Sequence, residues 1–308
     1  MPIYKYVTID RLDIIKTGQI RFTQPSAFND PFEAYPYFLK IADDQEIENA
    51  LKTSSVWDDK KIDKMLEESL QNELKKHPGL NVPFDKVKGF MRAGMKEGKP
   101  IVEGLFKKFI TMDGAPFRDI MVKTILSAID KELGILCLTE SRDNLLMWAH
   151  YTSNHTGFVI EFNEKHSFWD QREKSNETSR VLRKVRYSKE RPEITVFDTD
   201  KMKNEQGLMR WAENIFWTKS DHWQYEHEWR MVYTLRDCQN KIPGGTHDIY
   251  LFPIPIECIT GLIIGCRMSD TNKQSIRDLL RSDNRFSHIR ISQAEIDHRG
   301  YKLNFNQP

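Results

Sequence analysis

The chain has 308 residues, 39% apolar and 30% charged, with 17 Phe, 10 Tyr and 7 Trp. That composition excludes a disordered or low-complexity chain and predicts a large packed core, in one large domain or two ordinary ones. Its 46 basic and 45 acidic side chains leave a formal charge of +1, so no global field draws it to nucleic acid or membrane and only a local basic patch would.

The opening MPIYKYVTID lacks the basic start and apolar run of a secretory signal, and no apolar stretch is long enough to span a bilayer. The expectation is a cytoplasmic protein without a membrane segment. Cys137, Cys238, Cys258 and Cys266 form no CxxC pair, which argues against a zinc ribbon or a disulfide scaffold. Each sits in or beside an expected strand, so buried thiols are predicted.

IYKYVTIDRLDIIKTGQIRF reads as strand, helix, strand, with Thr8 capping the helix, Leu12 and Ile15 on its inner face and Gly18 ending it. Residues 24–36, QPSAFNDPFEAYP, hold three prolines and form an ordered loop. Across residues 43–133 apolar side chains recur at helical spacing (Ile62, Met65, Leu66 and Leu70; Ile101, Leu105, Phe106 and Phe109), which predicts a helical block. The pattern then turns to strands. GILCLTES ends in polar residues, Ser141 or Asp143 caps the helix DNLLMWAHY, and GFVIEF turns Phe158, Ile160 and Phe162 inward. VLRKVRYS reads as a strand, residues 198–217 as a helix, and QYEHEWRMVY, HDIYLFPI and ITGLIIG as strands. A helix capped by Ser269 and the strands HIRISQAEI and YKLNF close the chain. The reading is a single α+β domain over residues 1–308, built on a mixed, mainly antiparallel sheet, with 43–133 as a helical insertion. Irregular alternation and the lack of a GxGxxG argue against a doubly wound fold.

Four stretches gather residues able to do chemistry: Asn29, Asp30 and Glu33 in SAFNDPFE; Thr139, Glu140 and Ser141 in CLTES; His150 and Tyr151 in MWAHY; and Glu226 and Glu228 in QYEHEWR. Each has a plain structural alternative. Asn29-Asp30-Pro31 also suits an Asx turn, and His150 and Tyr151 suit packing in an apolar helix. In an extended run Glu226, Glu228 and Arg230 share one face, while Tyr225, His227, Trp229, Met231 and Tyr233 share the other. Either Arg230 compensates the carboxylates, or repulsion and burial split their pKa values for catalysis. No HExxH or H-x-E…CxxC spacing occurs, so no metal is expected.

The order FNDPFE, LLMWAHY, EHEWR resembles an uncharacterised bacterial domain-of-unknown-function family found near mobile elements and phage-defence genes. The same order resembles the ADP-ribosyltransferase fold: strand, helix, Gly and strand, then a strand ending in a Ser-Thr-Ser-like run, then a late strand opened by Glu-x-Glu. That resemblance implies NAD as substrate, with Glu228 on the nicotinamide ribose and Glu226 on the acceptor side. It also implies Lys5, Tyr6, Asn29, Asp30, Thr139, Ser141, His150 and Tyr151 around the dinucleotide. Aromatic side chains among Tyr6, Phe28, Tyr151, Trp223 and Tyr225 would stack on nicotinamide. Lys5 stands where members of that fold carry Arg or His, and CLTES replaces the Ser-Thr-Ser run. The implied role is a toxin or anti-phage effector modifying a protein or nucleic acid, with an antitoxin or another defence protein as partner. Two other readings remain open. One is a nuclease holding Mg²⁺ through Asp30, Glu33, Glu226 and Glu228, with Lys184, Arg186 and Lys219 on phosphate; the other is a non-catalytic sensor or binding module.

Overall fold

The computed structural model describes residues 1–42, 64, 115–172, 180–197 and 205–306. The chain opens with β1 (Ile3–Val7), α1 (Asp13–Thr17) and β2 (Gln19–Phe22), followed by β3 (Tyr37–Ala42). Next come α2 (Ala115–Glu132), β4 (Leu133–Thr139), α3 (Leu145–Tyr151), β5 (Phe158–Phe162), β6 (Arg183–Lys184), β7 (Arg186–Ser188) and β8 (Glu193–Phe197). Then follow α4 (Glu205–Phe216), β9 (Thr218–Ser220), β10 (Glu228–Thr234), β11 (Asn240–Ile242), β12 (Ile249–Pro253), β13 (Ile259–Ile264), α5 (Asp270–Ser282), β14 (Arg290–Ile296) and β15 (Leu303–Asn306). Contacts divide the chain into two compact units: Met1–Pro36 with Ile125–Pro192 and Ala212–Pro308, and Tyr37–Thr124 with Glu193–Trp211.

The first unit is mixed α+β. Its main sheet has eight strands in the order β15-β14-β13-β5-β1-β4-β10-β6, and a second sheet has the order β11-β12-β2. In the large sheet the pair β13–β14 is parallel, with α5 between its strands in sequence, and the other neighbours are antiparallel. Phe158, Val159, Ile160 and Phe162 of β5 are all buried, because this central strand is covered on both faces. Phe158, Ile160 and Phe162 join one core with Leu136, Leu138, Met231 and Tyr233. Val159 packs on the opposite side with Tyr4, Tyr6, Met147 and Trp148. That second face carries the site. In the second unit the described strands β3 and β8 pair in parallel, from Tyr37 opposite Glu193 to Ala42 opposite Phe197.

Several local expectations shift. Thr8 makes no side-chain cap; a 3-10 turn over Ile9–Leu12 precedes α1, and Gly18 ends α1 in the left-handed region at φ 64°. The cap of α3 is Asn144, whose side chain accepts from the Leu146 and Met147 amides, rather than Ser141 or Asp143. Ser269 does cap α5, accepting from the Asn272 amide. Of the expected helical block, Lys64 and residues 115–132 are helical and Leu133 begins β4; the rest lies outside the described residues. The cysteines are free, and Cys258 is buried while Cys137, Cys238 and Cys266 are half-buried. Among the described residues no helix is long and apolar enough to cross a membrane.

Candidate functional site

QYEHEWRMVY is not one extended run. Asp221–Glu226 is a 3-10 turn, His227 turns the corner in the left-handed region at φ 45°, and β10 starts at Glu228. From Glu228 on, the alternation holds: Met231 and Tyr233 enter the main core, while Glu228 and Arg230 face the other side. The turn is docked on its neighbours. The Asn144 side-chain amide donates to the Tyr225 carbonyl at 3.0 Å, the Thr139 hydroxyl to the Glu226 carbonyl, and the Glu140 amide to the His227 carbonyl at 3.3 Å. The loop 25–36 contributes a third carboxylate. Asp30 Oδ1 accepts from the Phe32 amide in an Asx turn, and Ala34 sits in the left-handed region at φ 50°, directly after the inward-facing Glu33.

Three carboxylates and two cations meet in the interior. Lys219, from the short strand β9, donates through Nζ to Glu226 Oε2 at 2.7 Å and to Glu228 Oε2 at 2.9 Å, and lies 3.6 Å from Glu33 Oε2. Arg230 reaches Glu228 with Nε at 2.8 Å and Nη2 at 2.9 Å, and donates through Nη1 to the Phe216 carbonyl at 2.8 Å. Its Nη2 is also 2.6 Å from Glu33 Oε1, but both Glu33 oxygens lack an aligned hydrogen-bond donor. That contact is an ion pair governed by charge, not angle.

The charge states follow from this geometry. Burial raises the Glu228 pKa, but Arg230 and Lys219 outweigh it and bring the carboxyl down to about 2. Burial prevails at Glu33, whose pKa is raised although Arg230 and Lys219 pull it down. Lys219 is held above its ordinary value: burial acts against its charge, and Glu228 and Glu33 more than restore it. Tyr151 donates to Glu226 Oε1 at 2.6 Å, and burial together with the Glu226 charge raises its phenol.

A carboxylate has about four acceptor positions. Three of those of Glu228 are taken, by two Arg230 nitrogens and by Lys219. Glu226 uses two, toward Tyr151 and Lys219. Glu226 therefore retains more capacity to accept from a ligand than Glu228.

The ligand space lies beside this cluster. β1 and β4 pair only at Tyr4 opposite Thr139, and Lys5 Nζ donates to the Cys137 carbonyl at 3.0 Å across the gap between them. Burial lowers the Lys5 pKa, with the neighbouring Glu228 acting the other way. A cavity of about 150 Å³ opens there, lined by Tyr4, Lys5, Tyr6, Phe28, Asn29, Thr139, Met147 and Tyr151, with Lys219, Glu226 and Glu228 among its polar groups.

Of the residues singled out from sequence, Lys5, Tyr6, Asn29, Thr139, Tyr151, Glu226 and Glu228 come together at this cavity. The others do not line it. Asp30 is spent on its turn, and Ser141 offers its carbonyl to the Tyr6 hydroxyl and its own hydroxyl to Asp143. His150 is solvent-exposed on α3. The sequence offers Lys219 only as a phosphate contact in the nuclease reading; its place at the centre of the cluster was unforeseen, since it lies on a three-residue strand in FWTKSDHW. Tyr187 was likewise unforeseen; its hydroxyl accepts from the Glu228 amide at 2.8 Å.

Residues 147–231 match the model of a family described as a protein of unknown function, DUF2971. That segment includes Tyr151, Lys219, Glu226, Glu228 and Arg230. No curated protein and no solved structure matches the chain.

Proposed function

We propose that this chain is an NAD-consuming ADP-ribosyltransferase, acting in the cytoplasm as a toxin or anti-phage effector on a macromolecular acceptor. The observation that carries the reading is strand adjacency. β1, β4 and β10 carry the three motifs of the resemblance and lie side by side in the main sheet, with Thr139 opposite both Tyr4 and Glu228. Motifs far apart in sequence must meet in this way to serve one substrate.

In the transfer the bond from ribose C1′ to the nicotinamide nitrogen breaks. Its electron pair neutralises the pyridinium as nicotinamide leaves, positive charge develops on the ribose, and the acceptor nucleophile then bonds C1′ and loses its proton. A fixed carboxylate in a water-poor site stabilises that charge. We assign this role to Glu226, on its two open acceptor positions, with Lys219 and Tyr151 fixing its orientation. Glu228 becomes a positioning residue that holds Lys219 and Arg230. The cavity of about 150 Å³ suits one ring among Tyr4, Tyr6, Phe28 and Tyr151, with the rest of the dinucleotide outside it.

The nuclease reading is disfavoured by the cluster itself. Lys219 Nζ lies 2.7–3.6 Å from Glu33, Glu226 and Glu228, where the shared cation would bind. Incubating the protein with NAD labelled on the adenylate and with bacterial lysate, while following nicotinamide release, tests the proposal. Label on a macromolecule and loss of both signals in Glu226→Gln are expected. No nicotinamide release under any condition would refute it.

A further inference from the structure

We infer that Lys5 is a nucleophilic amine, and that the cavity beside the carboxylate cluster is a covalent binding site for a small neutral aldehyde or ketone, held on Nζ as an imine. This role is independent of the proposed transfer, in which Lys5 makes and breaks no bond.

Two lysines line the cavity, and their surroundings are opposite. Lys219 sits between Glu33, Glu226 and Glu228, which hold its proton in place. Lys5, half-buried in the gap between β1 and β4, makes one hydrogen bond through Nζ, to the Cys137 carbonyl at 3.0 Å. Among the described residues no carboxylate pairs with it, and its other two positions have no partner. Burial lowers its pKa, and Arg11 and Arg21 add to that effect against Cys137 and Glu228. Desolvation and neighbouring cations are the conditions that turn a lysine into a carbonyl nucleophile. With one N–H spent on the Cys137 carbonyl, the lone pair of the neutral amine remains available.

The cavity limits the partner. At about 150 Å³ it is large enough for one benzene ring, and Tyr4, Tyr6, Phe28 and Met147 give it apolar walls. Its lining holds no cation for an anionic carbonyl such as a keto acid, because Lys219 is engaged by carboxylates and a neutral Lys5 carries no charge. In the reaction the Nζ lone pair bonds the carbonyl carbon, and the C=O π pair moves to oxygen, which takes a proton from nitrogen. The nitrogen then forms the C=N bond as that hydroxyl leaves with the second amine proton as water. Nothing is oxidised or reduced.

Reductive trapping of the full chain, without NAD, tests this. The protein is treated at about pH 7 with benzaldehyde and sodium cyanoborohydride, which reduces the imine to a stable amine. Peptide mass spectrometry locates the adducts, and fragment ions separate Lys5 from the Met1 amine. Lys5 should be trapped at least about tenfold faster than the exposed Lys165 and Lys189, since a lowered pKa leaves more of the amine free at neutral pH. Pyrenecarboxaldehyde, too broad for the cavity, should label Lys165 and Lys189 and spare Lys5. The charged analogue para-formylbenzoate should be trapped at Lys5 at least about tenfold less than benzaldehyde. Equal trapping at Lys5 and the exposed lysines overturns the inference. Labelling of Lys5 by the pyrene aldehyde does so too, because it puts the amine outside the cavity, and equal trapping of para-formylbenzoate overturns the neutral ligand. NAD turnover enters none of these readings, so failure here leaves the proposed transfer standing, and failure of the transfer leaves the imine site standing.

Discussion

Glu228 and Arg230, two residues apart on one face of β10, close a two-point ion pair at 2.8 and 2.9 Å with both side chains buried. Side chains at that spacing on a strand usually stand parallel, about 7 Å apart. Here they are drawn together because the interior offers neither charge any water. With Glu33, Glu226 and Lys219 the cluster carries three potential negative and two positive charges, so each deletion has a different consequence.

Arg230→Gln leaves three carboxylates facing one ammonium and should cost about 3–5 kcal/mol, the usual penalty for breaking a buried pair. Glu228→Gln leaves two cations facing two carboxylates and should cost less. The double variant should be more stable than the sum of the single losses predicts, because the two residues share one interaction. Urea unfolding of the four proteins measures this. Single variants as stable as the parent would show that the pair contributes nothing to the fold.

The fold was legible where a pattern was local and the cluster was not. Phe158, Ile160 and Phe162 of β5 and the Ser269 cap of α5 followed from alternation and a capping residue. β3 and β8 were missed because each is short and their parallel pairing joins segments far apart in sequence. The alternation expected through Glu226 failed at His227, because a non-glycine residue seldom takes the left-handed region and one histidine, though enriched there, does not mark a corner in sequence. Glu33 was visible as a polar residue in an aromatic loop, yet its place beside Arg230 is a tertiary fact. The convergence of Glu226 and Glu228 on Lys219 depends on that same corner.

Acidity should act on Glu228 and Glu33 in opposite senses. The Glu228 pKa is depressed to about 2, so its stabilisation is present above the ordinary carboxylate range and is lost as pH falls toward that value. Glu33 is raised by burial, so its contribution is present below the ordinary range and is lost as pH rises through its folded pKa. The stability of Glu33→Gln relative to the parent should therefore improve from about pH 5 to about pH 8. Urea midpoints at the two pH values read this out. A difference that shrinks or stays constant would mean that Glu33 is not held in a raised state.

His227 tests the corner. Its φ of 45° is costly for a side chain with a Cβ, and the side chain itself is exposed. His227→Gly should leave stability unchanged or raise it by up to about 1 kcal/mol, since relief of strain offsets the added freedom of the unfolded chain. His227→Val should cost about 1–3 kcal/mol and should also lower turnover, because the corner aims both carboxylates at Lys219. Equal melting temperatures for the glycine and valine variants would show that the corner relaxes without penalty.

Glu226→Gln separates chemistry from scaffolding. The amide keeps the side chain's length, and its oxygen can still accept from Lys219 while its NH2 turns to the Tyr151 hydroxyl, and Glu228 continues to hold Lys219 and Arg230. The melting temperature should shift little. Nicotinamide release should fall about a hundredfold, the loss of roughly 3 kcal/mol expected when one fixed charge facing a developing cation is removed. Tyr151→Phe removes only the hydroxyl that orients Glu226 and should cost about tenfold, with the fold intact. Glu228→Gln should instead lose stability and turnover together, the signature of a residue acting through Lys219. If Glu226→Gln turns over NAD at the parent rate while Glu228→Gln does not, the two carboxylates exchange roles, and the open acceptor positions of Glu226 are not where the ribose binds.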